Sequence, residues 1–420
     1  MNPSSLLASF ASAFSQNQRL ITLSLDGGAR ISAEQLLPHH LEWDEAISGF
    51  YRGRLVCISP DIHIPLKSLL GLAVRVGILD AEGNESVRCG TISQAELLGS
   101  DGGFAHYALT IEAPVALLRH RRTSRVFQDM TVPDIVGQIL AEHQAANGVF
   151  ARVQTLAFEV QPAAPRSYCL QYRESDADFI TRLLAEEGYA WRFVHHDGDT
   201  PQVEMRVFDD PFSLPQVGIG RVRFHRSDAT EAEDGLTEWQ ARRAIRPASS
   251  SLASFDYQPV ATLSAQDETR IEHGEGGNAL SASLHDYDPQ SLYYAPDNAS
   301  LAHYAQLRQQ AHDRQAKGFT GSGSVRGLEA GQWFVLDAHP AHAADGDAER
   351  EFVITRQRLR ARNNLPAEYL PAELASTLPT PQAEDAPFFT EFDAQRRGIP
   401  LTPAYRPKPS SQGAQTATVV

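Results

Sequence analysis

Hydrophobic residues alternate with polar ones in several short segments of the first quarter of the chain. In RLITLSL the apolar side chains of Ile21, Leu23 and Leu25 recur at every second position, and HYALTIEA repeats the pattern from Tyr107. A period of two is typical of a β-strand with one buried face. Turn-forming sequences such as DAEGNE and GSDGG separate these segments. The pattern predicts short strands that form a barrel or a sandwich.

A helical pattern with a clear start follows. Thr131 and Asp134 have the spacing of a capping box, and Pro133 lies in the first turn. Apolar residues then recur at helical spacing, so one face is expected to be buried. The predicted helix ends near Asn147 and Gly148, because asparagine and glycine are common after the last helical turn.

The run RSYCLQYRESDADFITRLLAEEGYAWRF combines a strand, a helix and a second strand. Ser175 with Asp178 predicts another capped helix, and Gly188 predicts its end. Three side chains lie on one face of the first predicted strand: Tyr168, Leu170 and Tyr172. Because strand-like segments precede and follow this run, the sequence predicts an α+β unit between two β-rich regions.

The second half of the chain predicts more strands, a long loop and one further helix. GRVRFHR, TEWQARRAI and REFVITRQRLRAR have strand-like patterns. Residues 273–298 are polar and glycine-rich, so we expect a long loop there, as an arm that contacts another subunit. Ser300 is the predicted cap of a helix that runs to Lys317 and ends at Gly318. From Pro371 onward prolines are frequent and periodicity is lost, which predicts an extended linker.

Charge and composition exclude several classes of function. The chain carries 37 basic and 52 acidic side chains, a net charge of -15, so its surface does not suit nucleic acid or anionic membrane. The N-terminus lacks a basic region before its weakly apolar stretch, so no signal peptide is predicted. No segment approaches the roughly 20 apolar residues that a membrane-spanning helix needs. We therefore expect folding in the cytoplasm and export, if any, by another route.

The sequence predicts no catalytic, cofactor-binding or metal site. Cys57, Cys89 and Cys169 are too few and too scattered for a disulfide framework or a zinc site, so each is expected to be buried in or beside a strand. The glycine-rich segments 274–278 and 321–327 lack the strand-to-helix context of a phosphate or dinucleotide site. No G-x-S-x-G elbow is present.

The remaining polar clusters have ordinary structural interpretations. The histidines at 39–40, 195–196 and 339–342 are expected on the surface or at strand ends. Adjacent Glu186 and Glu187 cannot face one substrate together on a helix. The run 345–350 lacks calcium-loop spacing and is interpreted as a solvated turn. The basic run 118–125 is interpreted as a salt-bridged surface or a subunit contact.

Several long motifs, in order, resemble the VgrG family, the spike proteins of bacterial type VI secretion. They include QYRESDADFITRLLAEEGYAWRF, SRVFQDMTVPDIVGQIL and REFVITRQRLRARNNLP, and the likeness runs from about Gln18 to Val420. The head of that family is similar to the hub of contractile phage baseplates. The resemblance implies a trimer in which two related β-barrel domains per chain form a pseudo-six-fold collar, matched to the hexameric Hcp tube.

The resemblance also sets the expected domain organisation of a predominantly β, α+β chain with two β-barrel-like domains and an inserted α+β unit. The expected divisions are a flexible N-terminus (1–17), a first barrel-like domain (18–125), an α+β domain (126–215), a second barrel-like domain (216–370) and a linker (371–420). Family members continue past QTATVV into an OB-fold barrel and a needle that binds a PAAR tip, and some add an effector domain. Those parts are expected outside these 420 residues, so the chain is interpreted as a piece of a longer protein or the product of a split gene.

Three functions stay open from the sequence. The leading hypothesis is a structural hub of a type VI secretion spike, assembled with baseplate components in the cytoplasm and then secreted. A hub of a phage-like contractile tail would have the same physical role. A secreted effector enzyme would need a cluster of reactive residues that the sequence does not show.

Overall fold

Strands dominate the computed structural model, which describes residues 15–16, 19–26, 35–80, 83–100, 104–198, 200–225, 234–257, 259–290, 294–365, 386–411 and 413. The described part contains these strands: β1 Ile21–Asp26, β2 Leu37–Ala46, β3 Arg52–Ser59, β4 Ala73–Leu79, β5 Glu85–Ser100, β6 Ala105–Glu112, β7 Arg122–Phe127, β8 Gln154–Glu159, β9 Cys169–Ser175, β10 Ala190–His196, β11 Gln202–Phe208, β12 Gln216–Arg223, β13 Leu236–Arg243, β14 Ser249–Asp256, β15 Ala261–Glu268, β16 His285–Pro289, β17 Lys317–Gly323, β18 Trp333–Asp337, β19 Glu351–Arg362 and β20 Phe388–Arg396. Its α-helices are α1 Val132–Ala146, α2 Gly148–Val153, α3 Asp176–Glu186, α4 Gly274–Ser281 and α5 Asn298–Ala316. The expected fold class, mostly β with some helices, is confirmed.

One 12-stranded sheet joins the two β-rich regions of the chain. Its first six strands run in the order β1-β4-β5-β6-β3-β2. The path continues through β19-β20-β17-β13, while β18 pairs with both β19 and β12. Antiparallel pairing of β2 with β19, from Ala46 opposite Arg356 to His40 opposite Arg362, connects the two six-strand groups. Strands separated by more than 300 positions in sequence therefore hold the two groups edge to edge.

Each six-strand group has a polar link between its outer strands. In the first group, the Asn363 side chain accepts a hydrogen bond from the Ile21 amide at 2.7 Å and donates to the Ile21 and Pro38 carbonyl oxygens. This places one amide between β1 and β2. In the second group, an isolated bridge between Phe224 and Leu236 connects the end of β12 to the start of β13.

The two predicted helix starts of the α+β unit are confirmed. Thr131 and Asp134 form a reciprocal capping box at α1, and the Ser175 hydroxyl accepts a hydrogen bond from the Asp178 amide at 3.1 Å. Gly188 follows α3 with a φ of 75°, the left-handed conformation that glycine adopts without strain. The predicted end of α1 is correct only in part, because Asn147 also caps the short helix α2, which follows directly.

The strand before α3 buries the face opposite to the one that carries its large apolar residues. Tyr168 and Leu170 are exposed, while Cys169 and Gln171 face inward. Gln171 donates a hydrogen bond to the Asp176 carboxylate at 2.8 Å, so an internal polar contact takes the place of an aromatic one. The three residues share a face as predicted, but that face is turned outward.

Two predictions for the segment before α5 are wrong. The expected loop over 273–298 contains the helix α4 and the strand β16, although most of its side chains are exposed. The cap of α5 is Asp297, whose Oδ1 accepts a hydrogen bond from the Ser300 amide at 2.7 Å. Ser300 is therefore an N3 residue and not the cap, and Gly318 lies in β17, which follows the helix without a break.

The predicted linker over 371–420 is wrong at β20. This strand pairs with β19 on one side and β17 on the other, and Phe388 and Phe392 are buried in it. Residues 366–385 lie outside the described part, as do residues 1–14 of the predicted flexible N-terminus. The proposed domain divisions stay a prediction.

Candidate functional site

The histidines lie deeper than the sequence suggested. His39 and His40 are buried in the middle of β2, and the His195 ring is buried beside Cys89, whose amide donates to His195 Nδ1 at 3.0 Å. The surface interpretation is wrong for these three residues, whereas His195 does lie next to the end of its strand, β10. His342 is also nearly buried and accepts a hydrogen bond from the Trp239 indole at 3.0 Å. Within the described ranges, no three His, Cys, Asp or Glu residues are grouped so as to hold a metal ion.

His39 is held in its neutral form. Burial lowers the pKa of its imidazole to about 4, and the nearby His40 and Arg362 act in the same direction. Neither ring nitrogen has a hydrogen-bond partner in the described part of the chain. An uncharged, unpaired imidazole inside a sheet fills space in the core. Its protonation at low pH would place a charge in a buried position, so this part of the fold is sensitive to acid.

Glu186 and Glu187 converge on one arginine, although they are adjacent in sequence. Arg166 Nη1 donates to Glu186 Oε2 at 2.6 Å, and Arg166 Nε donates to Glu187 Oε1 at 3.1 Å. Burial opposes ionisation of Glu186, but the charges of Arg166 and Lys408 outweigh it and lower the pKa of this carboxyl to about 2. The expectation that the two carboxylates cannot face a common group is wrong, because the helix ends at this point.

A second buried ion group ties β5 to the segment before β18. Arg88 donates to Glu329 Oε1 at 2.7 Å and to the Leu328 carbonyl oxygen at 2.7 Å. Glu45 accepts a hydrogen bond from the Ala330 amide at 2.7 Å. Burial raises the pKa of Glu45, but Arg88 and His195 reverse this and lower it to about 2. These contacts connect the two six-strand groups a second time, away from the β2–β19 ladder.

The basic run 118–125 forms a salt-bridged surface, as predicted. Arg121 and Arg125 both reach Glu142 on α1 and Asp176 at the start of α3. His143 approaches the same Asp176 carboxylate at 2.8 Å. Asp176 is fully buried while the arginines are partly exposed. The cluster therefore links β7 and the segment before it to α1 and α3 at the surface of the α+β unit.

The cysteines and glycine-rich segments show no reactive arrangement. All three cysteines are buried, each in a strand, as predicted, and burial raises the pKa of the Cys89 thiol to about 12. Contrary to expectation, residues 274–278 do open a helix, α4, but no strand runs directly into it. Residues 321–327 begin in β17 and continue into a loop. The run 345–350 is a short 3-10 turn in which Arg350 pairs with Asp347, which agrees with a solvated turn.

A small three-stranded sheet exposes two aromatic side chains on its outward face, which the sequence analysis missed. Its order is β15-β14-β16, and it covers one side of α5. Ser250 and Leu252 point toward α5, so the register turns Phe255 of β14 and Tyr287 of β16 outward. Phe255 is 38% exposed and Tyr287 59% exposed. The alternation in SSSLASFDY was the available signal for this face.

The described residues form a mostly β structure with paired buried charges and two exposed aromatic side chains on the small sheet. The chain belongs to the phage tail baseplate hub (GPD) family, whose model matches residues 44–365. It is also similar to type VI secretion spike proteins of the VgrG kind, and the resemblance in the sequence is thereby confirmed. No helix in the described residues is long and apolar enough to cross a membrane.

Relatives and solved structures agree with this assignment. Spike protein VgrG1c of Pseudomonas aeruginosa is 28% identical over 98% of this chain and 52% of its own length. The Escherichia coli c3393 protein, a type VI secretion component with structural similarity to the T4 bacteriophage tail proteins gp27 and gp5, has 19% identity and a TM-score of 0.59, over 92% of this chain and 79% of that one. A tail protein of Neisseria meningitidis MC58 has 14% identity and a TM-score of 0.59, over 92% and 99%.

One structure of a relative contains a partner protein. A chain of the Francisella PdpA-VgrG complex gives a TM-score of 0.55 at 10% identity, over 97% of this chain and 63% of that one. The chain spans about half the length of the curated relatives it matches. The similarity therefore covers about half of those proteins and not their remaining length.

Proposed function

We propose that this chain is the structural hub of a type VI secretion spike, and that three copies form a collar at the base of the puncturing needle. The observation that carries the proposal is the pair of six-strand groups joined edge to edge by β2 and β19. Two such groups in each of three chains would supply six similar units around one axis. That number matches a hexameric tube protein such as Hcp.

Each six-strand group is proposed to be a β-barrel. The Asn363 side chain between β1 and β2 supports closure of the first group, and the bridge from Phe224 to Leu236 supports closure of the second. A closed sheet has no free edge, which suits a component that must not pair with the wrong strand. The division 18–125 would then be the first barrel-like domain, and 216–370 together with β20 the second, with 126–215 as the α+β domain between them.

The outward face of the small sheet is proposed to contact a second copy of the chain. Phe255 and Tyr287 lie on it beside small side chains such as Ser251 and Ala253, so the surface between the rings is shallow. Aromatic residues are enriched at the centres of protein interfaces. Tyr287 belongs to the segment that the sequence analysis assigned to a subunit contact.

The binding partners and the secretion route follow from the same proposal. Hcp and baseplate components would bind the collar, whereas a PAAR tip and effectors would bind parts of the spike beyond these 420 residues. Assembly would take place in the cytoplasm, and the spike would leave the cell through type VI secretion without a signal peptide. The role is mechanical, so the proposal assigns no catalytic residue, cofactor, nucleic-acid contact or membrane-spanning segment.

Light scattering on matched variants tests the proposed subunit contact. We expect the full 420-residue chain to show a mass that rises with concentration toward three chains. Tyr287→Ser and Phe255→Ser should each lower the trimer fraction, because they remove apolar area from the interface centre. Tyr168→Ser serves as the control, since Tyr168 is 59% exposed at a site remote in sequence. A dimer, or equal losses in all three variants, would contradict the proposed contact.

A hub of a phage-like contractile tail is the second candidate. It is favoured by the Neisseria tail protein, of which this chain covers 99%. The two candidates differ in the tube that the collar binds. Pull-down with the tube protein encoded beside this gene separates them: retention of an Hcp-type hexamer supports the spike, and retention of a phage tail-tube protein supports the tail hub.

A further inference from the structure

A polar cavity of about 430 Å³ lies where α3, α5 and the second six-strand group meet. Ser48, Trp191, Gln395 and Arg314 line it, and residues 402–406 cover one side. These residues come from four separate stretches of the chain, so only the folded molecule brings them together. The volume lies within the range of small-molecule sites, roughly 300–1,000 Å³.

Three buried polar atoms of this lining have no hydrogen-bond partner within the described ranges: Trp191 Nε1, Gln395 Nε2 and Ser48 Oγ. Trp191 is 1% exposed and Gln395 is 3% exposed, so solvent at the surface does not satisfy them. Leaving such groups unpaired costs free energy. The indole N–H can only donate a hydrogen bond, so a ligand in the cavity would need an acceptor atom at this position.

Arg314 adds positive charge to the same space. Its Nη1 donates to the carbonyl oxygens of Leu401, at 3.0 Å, and Thr402, at 3.4 Å, but the guanidinium forms no ion pair with a described carboxylate. Burial lowers the pKa of Arg314 to about 10, which still leaves it charged at neutral pH. Arg314 is half-buried, and a cation in such a position without an anion is costly, so an anionic ligand would relieve that cost.

The cavity rim has the same sign of charge as its interior. Arg242 and Arg406 line the rim and are exposed, and Asp393 is the carboxylate among the lining residues. This gives a local excess of positive charge in a chain whose net charge is -15. The field at the entrance therefore favours anions.

Ser48 lies in the turn between β2 and β3 and adds a third polar side chain to the lining. Its φ is 61°, a left-handed conformation that glycine adopts more easily than serine. Its amide donates to the Trp191 carbonyl oxygen at 2.8 Å, which fixes the hydroxyl beside the indole. A serine here places a third polar group in the cavity at the expense of backbone strain.

We infer that this cavity binds the carboxylate of a small organic acid, with Trp191 and Gln395 donating hydrogen bonds to it and Arg314 supplying the positive charge. A planar carboxylate offers two acceptor oxygens to donors of this kind. The site lies within one chain, so it does not depend on assembly or on the proposed role as a hub.

Titration calorimetry with the full chain tests the inference, with glutarate as the probe. We expect saturable binding of glutarate and binding at least about tenfold weaker for glutaramide, its neutral analogue, at equal ionic strength. Inorganic phosphate is the third arm. Tighter binding of phosphate than of glutarate would overturn the assignment to a carboxylate, and no saturable binding of glutarate would overturn the site.

Variants identify the residues that bind. Trp191→Phe keeps the ring and removes the donor, and Gln395→Glu places a negative charge in the cavity; each should weaken glutarate binding about tenfold. Gln266→Glu makes the same change on the exposed strand β15 and should leave binding unchanged. Ser48→Gly should weaken binding while the melting temperature is unchanged or raised, because glycine relieves the left-handed conformation. Equal binding in all four variants would contradict the proposed ligand contacts.

Discussion

At Arg166, one guanidinium group serves two neighbouring carboxylates, Glu186 and Glu187, in a largely buried position. Such a group is costly to form, because three charges leave water together. Once formed, it fixes the end of α3 against the segment before β9. Lys408 also reaches Glu186, at 3.4 Å, so the same carboxylate holds a residue from the end of the described chain. The end of α3 and the segment after β20 are thereby connected.

Replacing Arg166 with glutamine should destabilise the fold in a pH-dependent way. It leaves buried carboxylates without their main partner, and we expect a loss of about 3 kcal/mol in the free energy of unfolding at pH 7. Glu186 has a folded pKa of about 2 against an ordinary value of 4.5. Its stabilising contribution is therefore present above pH 4.5 and lost as the pH falls toward 2.

Urea unfolding of the wild type and the Arg166→Gln variant at several pH values measures this effect. The difference between the two proteins should shrink as the pH falls from about 5 to about 3. Arg122→Gln, at an exposed position of β7, is the matched control and should change stability by less than about 0.5 kcal/mol. A constant difference at all pH values would argue against the carboxylate pairing.

We expect His39 to cause a second, separate dependence of the folding stability on pH. Because burial lowers its pKa from 6.5 to about 4, the neutral imidazole stabilises the fold above pH 6.5, and that stability is lost as the pH falls toward 4. The contribution to the loss between pH 7 and pH 5 is about 2 kcal/mol. His39→Leu should reduce the pH dependence in that window, and the exposed-site variant His63→Leu should not. Chemical unfolding at pH 7, 6 and 5 checks this, and equal slopes for all three proteins would refute it.

Among the elements, β20 shows how a strand can form in a segment without a clear sequence signal. FFTEFDAQR has apolar residues at three alternate positions, but it stands among prolines and acidic residues that are typical of linkers. Pairing with β17 and β19 supplies both edges of its hydrogen-bond ladder. Phe392 then packs among the aromatic side chains Phe334 and Trp239. Partners far away in sequence therefore stabilise this strand.

Truncation of Phe392 distinguishes a core strand from a linker. Phe392→Ala should cost about 3 kcal/mol in the free energy of unfolding, because it removes a buried ring from a packed cluster. Phe389→Ala changes the same residue type on the half-buried side of the strand and should cost clearly less. Denaturant titration of the two variants gives the comparison. Equal and small effects would mean that residues 388–396 do not belong to the core.

For the whole molecule, assembly must overcome the repulsion between copies that each carry a net charge of -15. The proposed contact through Phe255 and Tyr287 is apolar, so it provides little electrostatic compensation. In the proposed spike, the needle would add its own association energy. We therefore expect these 420 residues alone to form a weak, concentration-dependent trimer.

Salt should strengthen this trimer. Raising sodium chloride from about 0.05 M to about 0.5 M shortens the screening length severalfold, which weakens the repulsion between subunits while the apolar contact persists. Light scattering at fixed protein concentration should show a higher average mass at high salt. The interface variant Tyr287→Ser, with its lower trimer fraction, is the control and should show a smaller change. A mass that falls with salt would mean that ion pairs, and not the apolar face, join the subunits.

The sequence by itself determined the local elements and the family. Alternation around Ile21 and Tyr107, and the caps at Thr131 and Ser175, predicted strands and helices that the structure contains, because period and capping depend on neighbouring residues. The ordered motifs indicated the family without any knowledge of contacts. The sequence indicated no candidate site residue and no polar cavity.

Only the tertiary structure decided which distant groups meet. It placed Arg166 against Glu186, joined β2 to β19, made β20 a core strand and brought Trp191 and Gln395 to one cavity. It also determined which face of β9 is buried, since the apolar pattern alone pointed to the other one. Local patterns carry periodicity and capping, but burial and long-range pairing depend on the packing of segments that the sequence keeps far apart.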